Sequence, residues 1–144
     1  MAKAWVVLSE PIMGMMNWNE FDKWCAALCA WREARGEGRD GIRAVLHVIK
    51  NRADASRKSW AQIVYAHLQF SSMTYGQDPQ LSNVPVSPDP AFADCYEIAD
   101  TISGGGDFDL TNGATHYFNP DIVLPSWAAS MTKVASIGHH DFYK

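Results

Sequence analysis

Apolar residues recur at spacings of three and four over several stretches of the chain, and each stretch predicts a helix. Phe21, Trp24, Cys25, Leu28 and Cys29 form the first set, the signature of a helix burying one face, expected over 19–35. Asn19 is placed to cap it, and Glu20 and Asp22 fall in the first turn, where the helix dipole favours anions. Gly36 and Gly38 interrupt the pattern. Ile42, Val45, Leu46 and Ile49 resume it on a second helix over 40–53, with Asp40 as the expected N-cap. Ser59 and Gln62 make a capping box for a third helix over 59–67, whose apolar residues are Trp60, Ile63, Val64 and Leu68. Asp89-Pro90 starts a fourth, because Asp caps and Pro suits the first turn. Phe92, Cys95, Tyr96, Ala99 and Ile102 give it a buried face, and Gly104 to Gly106 stop it.

Between the third and fourth helices the pattern lapses. Gln69 to Pro90 carries Pro79, Pro85 and Pro88, and so long a loop in a compact domain is usually a lid or a groove wall. Towards the C-terminus the pattern changes kind. Ala114 to Phe118 and Lys133 to Ile137 read as two short strands or extended segments, joined through Asn119-Pro120, Pro125 and Trp127. The amino-terminal stretch is methionine-rich, and Met13, Met15, Met16 and Trp18 are expected to pack against the body. The fold class is mainly α (α+β), with a small β element near the C-terminus.

A length of 144 residues with 47% hydrophobic and 19% charged positions is that of one globular domain with a single core. No repeat marks a separate wall-binding or other module. A net charge of -4 argues against nucleic acid as a main partner. Lys50, Arg52, Arg57 and Lys58 cluster locally, where a solvated helix end is the ordinary reading. Cys25, Cys29 and Cys95 show no metal spacing and read as small buried hydrophobes, made in a reducing compartment. Ala4 to Leu8 is too short for a signal-peptide core or a bilayer span, so the expectation is a cytoplasmic chain without membrane insertion.

The candidate chemistry lies at the joint of the first two helices, Trp31-Arg-Glu-Ala-Arg-Gly-Glu37. Glu33 falls in the last turn of the first helix. There the negative end of the dipole, and desolvation by nearby aromatics, favour a protonated carboxyl, the form a general acid for glycosidic cleavage requires. The plainer alternative is a charged surface on which Arg32, Arg35 and Arg39 pair with the acids.

The order of segments along the chain favours the first reading. Trp31 to Glu37, Ile42 to Arg52, Gln69-Phe-Ser71, Gly113-Ala-Thr-His-Tyr-Phe118, Pro125-Ser-Trp127 and Ile137-Gly-His-His-Asp-Phe-Tyr143 follow one another. In this the chain resembles the cell wall hydrolases of the SleB type, the spore-cortex-lytic enzymes and phage endolysins, over about residues 25–144. The resemblance implies a lysozyme-like fold that cuts peptidoglycan between N-acetylmuramic acid and N-acetylglucosamine. It implies that Glu33 protonates the leaving oxygen and then, as in lytic transglycosylases, serves as base while the muramic 6-hydroxyl closes on C1 to give a 1,6-anhydro product. It also implies that Ser71, Thr115, His116 and Tyr117 line the groove. Tyr75 and Trp127 are candidates for stacking on sugar rings, although a Trp, a Tyr or a lone His is also commonly structural.

A transglycosylase needs one acid/base, whereas hydrolysis needs a second carboxylate about 5 to 9.5 Å away. Glu37 is the first candidate for that role, followed by Asp40 and Asp78, so an N-acetylmuramidase remains the alternative. Outside glycan cleavage, a zinc amidase would need a ligand pattern that the five histidines do not form. No metal or cofactor is expected. A glycan-binding or virion structural protein would retain the fold without turnover. The bare, leaderless domain looks like a phage endolysin, a monomer stored in the cytoplasm and reaching the wall after release by a holin-type partner.

Overall fold

The structure, a computed structural model, describes residues 18–144 apart from 68 and 75. The packing expected of Met13, Met15, Met16 and the Trp18 side chain, the place of Leu68 in the third helix, and Tyr75 all lie outside the described residues.

Helix α1 (Trp18–Ala34) is the centre of the domain. Its run Cys25 to Trp31 is buried residue by residue, while Phe21 and Trp24 are 48% and 44% exposed. This corrects the expectation of one buried face carrying all five apolar residues. The run Cys-Ala-Ala-Leu-Cys-Ala-Trp has no polar side chain and few large ones, so neighbours close in from several sides, and a helix that is apolar all round becomes a buried one. Those neighbours are α2 (Gly38–Ser56), α3 (Trp60–Val64) and α5 (Pro90–Ser103). The three cysteines are free and buried, packed as hydrophobes.

Helix ends follow the local chemistry in two cases and depart from it in two. Ser59 Oγ accepts from Gln62 N at 3.1 Å and Gln62 Oε1 from Ser59 N at 2.9 Å, completing the capping box, though α3 stops at Val64. Asp89 accepts from Phe92 N at 2.9 Å and starts α5, which ends at Gly104. Asp40, expected as a cap, instead lies in the first turn of α2 and binds Arg43 at 2.8 Å. The reason is that α2 begins earlier: Glu37 N already donates to Ala34 O at 2.9 Å, so Glu37 takes the N-cap position. Asn19 lies inside α1, its Oδ1 accepting from Ser103 Oγ at 3.1 Å.

The long loop is not featureless. It contains α4 (Ser71–Thr74) and a 3-10 turn at Pro79–Ser82, which Asp78 caps by accepting from Gln80 N at 2.8 Å.

Both expected strands are present, as β1 (His116–Phe118) and β2 (Lys133–Ile137), but they do not pair with each other. The closing segment forms β3 (His140–Tyr143) between them, antiparallel to both, in the order β1-β3-β2. Tyr117 and Ala135 both lie opposite Phe142. The Phe142 ring, 1% exposed, packs with Ala44 and Val48 of α2 and with Ala114 in a second apolar cluster that fastens the sheet to the helices.

Candidate active site

Glu33 ends α1 half-buried, and two hydroxyls from distant parts of the chain meet its carboxylate. Ser72 Oγ donates to Oε1 at 2.6 Å and the Tyr117 hydroxyl donates to Oε2 at 3.2 Å. Donors on both oxygens fix the carboxyl's rotation. The Tyr117 ring is stacked on Phe142 at 5.5 Å and meets His140 edge-on at 5.2 Å. Burial, followed by the charge of Glu33, pushes the Tyr117 phenol well above its ordinary range, so it remains a donor.

The arginines of the Trp31 to Glu37 segment do not neutralise its acids, in contrast to the plainer sequence reading. Arg32 donates to Ser72 O at 2.8 Å and to Asn83 O at 3.0 Å; Arg35 donates to Gln80 Oε1 at 2.9 Å and lies 4.2 Å over the Trp31 ring. Both therefore tie the long loop to the end of α1, and Arg32 places Ser72 against Glu33. Arg39 reaches away to Asp94 and Glu97 of α5, at 3.3 Å each.

Tyr117 is held by a longer route. Arg43, His47 and Asn51, four residues apart, share one face of α2. Arg43 binds Asp107 at 2.9 Å, His47 Nε2 lies 2.7 Å from the same carboxylate, and Asn51 donates to Asp109 at 2.8 Å and to Ala114 O at 2.9 Å. Asp109 also accepts from the Thr111 hydroxyl and from the backbone N–H of Thr111 and Gly113. These bonds pin the segment that leads into β1.

Glu37 is placed differently from Glu33. Its carboxylate lies 3.1 Å and 3.2 Å from His139 Nδ1 and accepts from His139 N at 3.3 Å. It sits between Gly41 and Gly138, whose missing side chains leave it room. Burial pushes its acidity down, but the side-chain and backbone bonds from His139 outweigh this and hold the carboxyl below the usual glutamate range. Glu37 thus binds the β2–β3 turn to the start of α2.

The remaining sequence candidates divide. Ser71 turns outward and donates to Asp78 Oδ2 at 2.6 Å; its neighbour Ser72, which the sequence reading passed over, is the residue on Glu33. Thr115 Oγ1 lies 2.9 Å from His116 Nδ1, and the His116 ring packs on Trp127 at 4.9 Å. Burial and then the charge of Arg52 hold His116 below its ordinary range. Trp127 also meets Phe118 and Tyr143 edge-on, so one of its roles is to brace β1.

A helical domain with an acid held by two hydroxyls where its central helix meets a small sheet has a lysozyme-like architecture. The cell wall hydrolase family model matches residues 36–143, opening just after Glu33, and the chain belongs to that family. It is 30% identical over 118 residues to a spore cortex-lytic enzyme of Halalkalibacterium halodurans, covering 81% of this chain and 32% of that protein. To a spore cortex-lytic enzyme of Bacillus subtilis it is 29% identical over 118 residues, covering 81% and 35%. The chain thus spans about a third of the length of these relatives. The catalytic domain of the Bacillus cereus SleB protein superposes with a TM-score of 0.67 at 27% identity, covering 85% of this chain and 89% of that one. The catalytic domain of the germination-specific lytic transglycosylase SleB from Bacillus anthracis gives 0.67 at 26% identity, covering 85% and 93%.

Proposed function

We propose that this domain cuts the glycan strand of peptidoglycan at the bond from N-acetylmuramic acid C1 to N-acetylglucosamine O4, as a lytic transglycosylase with Glu33 as its acid/base. The observation that carries the reading is the carboxyl of Glu33, clamped by Ser72 and Tyr117 with no second carboxylate bonded into the cluster among the described residues. Glu33 gives its proton to the bridging oxygen as the C1–O4 bond breaks and positive charge develops on the muramic ring. The carboxylate then takes the proton of that sugar's own 6-hydroxyl, and O6 closes on C1. Glu33 regains its proton, no water is consumed, and the product is a 1,6-anhydro sugar. Ser72 and Tyr117 hold the carboxyl towards the scissile bond, and small displacements of such a group are costly in rate.

The likeness to SleB catalytic domains supports the substrate class. The commitment of Glu37 to His139 supports the one-acid route over hydrolysis. A lytic role in the manner of a phage endolysin, with release by a holin-type partner, is part of the same proposal and rests on the motif resemblance. Mass spectrometry of muropeptides released from purified peptidoglycan tests the reaction: anhydro ends from wild type and none from Glu33→Gln are expected. Reducing ends would overturn the transglycosylase route in favour of a muramidase, and binding without soluble fragments would overturn the enzyme reading.

A further inference from the structure

The two segments that clamp Glu33 also contribute to the walls of a cleft. Gln69 precedes Ser72 by three residues, and Thr115 and His116 immediately precede Tyr117; with Arg52 and Lys58 these residues border a cavity of about 350 Å³. We propose that this cleft is a carboxylate-binding subsite, which takes the stem peptide attached to the muramic residue whose bond lies at Glu33. The inference rests on the glycan-cleavage reading above.

Three observations carry it. Arg52 is preorganised: its Nε donates to Thr115 O, Nη1 lies 3.4 Å from Gln69 Oε1, and the guanidinium stands 5.0 Å over the Phe70 ring. Second, no acid among the described residues pairs with Arg52 or Lys58. On the same helix as Arg52, Lys50 is matched by Asp54 at 2.6 Å and Arg43 by Asp40 and Asp107. In a chain with 16 acidic and 12 basic residues, this cleft is lined by two cations and no acid. Third, burial lowers the basicity of Arg52 by more than Tyr117, Cys29 and Glu33 raise it, so an anion arriving in the cleft further stabilises the guanidinium's charge. The chemistry of the substrate supplies that anion close to the cut: the muramic 3-O-lactyl group carries a peptide with free carboxylates. A planar guanidinium beside an ammonium suits carboxylate recognition.

The test compares peptide-bearing peptidoglycan with strands stripped of peptide by an amidase. Wild type is expected to favour the peptide-bearing form, and Lys58→Glu to reduce the ratio of the two kcat/KM values about fivefold, the scale of an exposed charge contact. An unchanged ratio overturns the proposal and leaves glycan cleavage intact. Calorimetry of Glu33→Gln with a soluble stem tripeptide is independent of cutting. Binding that weakens with added salt and with Lys58→Glu supports the subsite even where no strand is cut, a result that would overturn the cleavage reading alone. No binding of the tripeptide overturns the subsite.

Discussion

The Cβ of Glu37 occupies the space in which a side chain on Gly41 would stand: a Cβ built on Gly41 falls 2.5 Å from it. Glu37 Cβ is fixed by the backbone at the turn between α1 and α2, so it cannot swing away. Alanine normally favours a helix over glycine by about 1 kcal/mol; here overpacking reverses the sign. Gly41→Ala is expected to destabilise by ~1–3 kcal/mol, measured by denaturant unfolding. Gly138→Ala meets Glu37 Oε2 at 2.6 Å from a backbone at φ +57° and should also destabilise. A stabilised Gly41→Ala would show that this joint is looser than described.

Removing either clamp should slow turnover without unfolding the domain. Hydrogen bonds to an ionisable group contribute about 1.5–3 kcal/mol, so Ser72→Ala and Tyr117→Phe are each expected to reduce kcat about tenfold or more. KM should change little, because both hydroxyls are engaged with the Glu33 carboxyl. Steady-state kinetics on soluble glycan strands, with circular dichroism to confirm folding, checks both. A rise in KM at constant kcat would instead make them substrate contacts.

Glu37→Gln separates the structural role of Glu37 from a catalytic one. It should weaken the hold on the β2–β3 turn and lower thermal stability, yet retain a substantial part of the activity below the melting range. Complete inactivity in a folded Glu37→Gln protein would return it to the position of second carboxylate and make the reaction a hydrolysis.

Acid should loosen the site through the loop ahead of β1. Burial alone would raise the Asp107 and Asp109 carboxyls. It is outweighed for Asp107 by Arg43 and His47, and for Asp109 by Thr111, Asn51 and Gly113, so both are held below the ordinary aspartate range. A folded-state value below the unfolded one gives stability that is complete above the unfolded value and is lost as pH falls through the folded one. Stability should therefore drop below about pH 4. Asp109→Asn, which lacks the titrating group, should be less stable at pH 7 and show a flatter acid limb in urea melts between pH 7 and pH 3. A parallel acid limb in the variant would rule out this linkage.

Much of the helical frame was legible because its signals are local. Ser59 with Gln62, Asp89 with Pro90, and the three-and-four spacing of α2 and α5 act within a turn or two. Glu33 was legible through its segment, although the reason for that segment's arginines was not. Arg32 and Arg35 serve loop carbonyls and an amide 40 or more positions away, which no spacing rule conveys. Ser72 was missed for Ser71 because a four-residue helix has no period from which to tell its faces apart. The central place of β3 was missed because His-Asp-Phe-Tyr, although Phe and Tyr favour strands, is only four residues long, too short to show an alternation. Its pairing is decided by Phe142 filling the gap over Ala44 and Val48, a tertiary effect.

The position of β3 also fixes an order of events. Neither β1 nor β2 has its hydrogen-bonding partner until residues 140–143 exist, and Tyr117 rests on Phe142. The ribosome makes α1, with Glu33 in place, more than a hundred residues before it makes the strand that braces the second clamp. Domains fold as units during synthesis, so the half-made chain carries the acid without its complete grip. On the proposed reaction, cutting power arrives only once residues 140–143 have paired into the middle of the sheet.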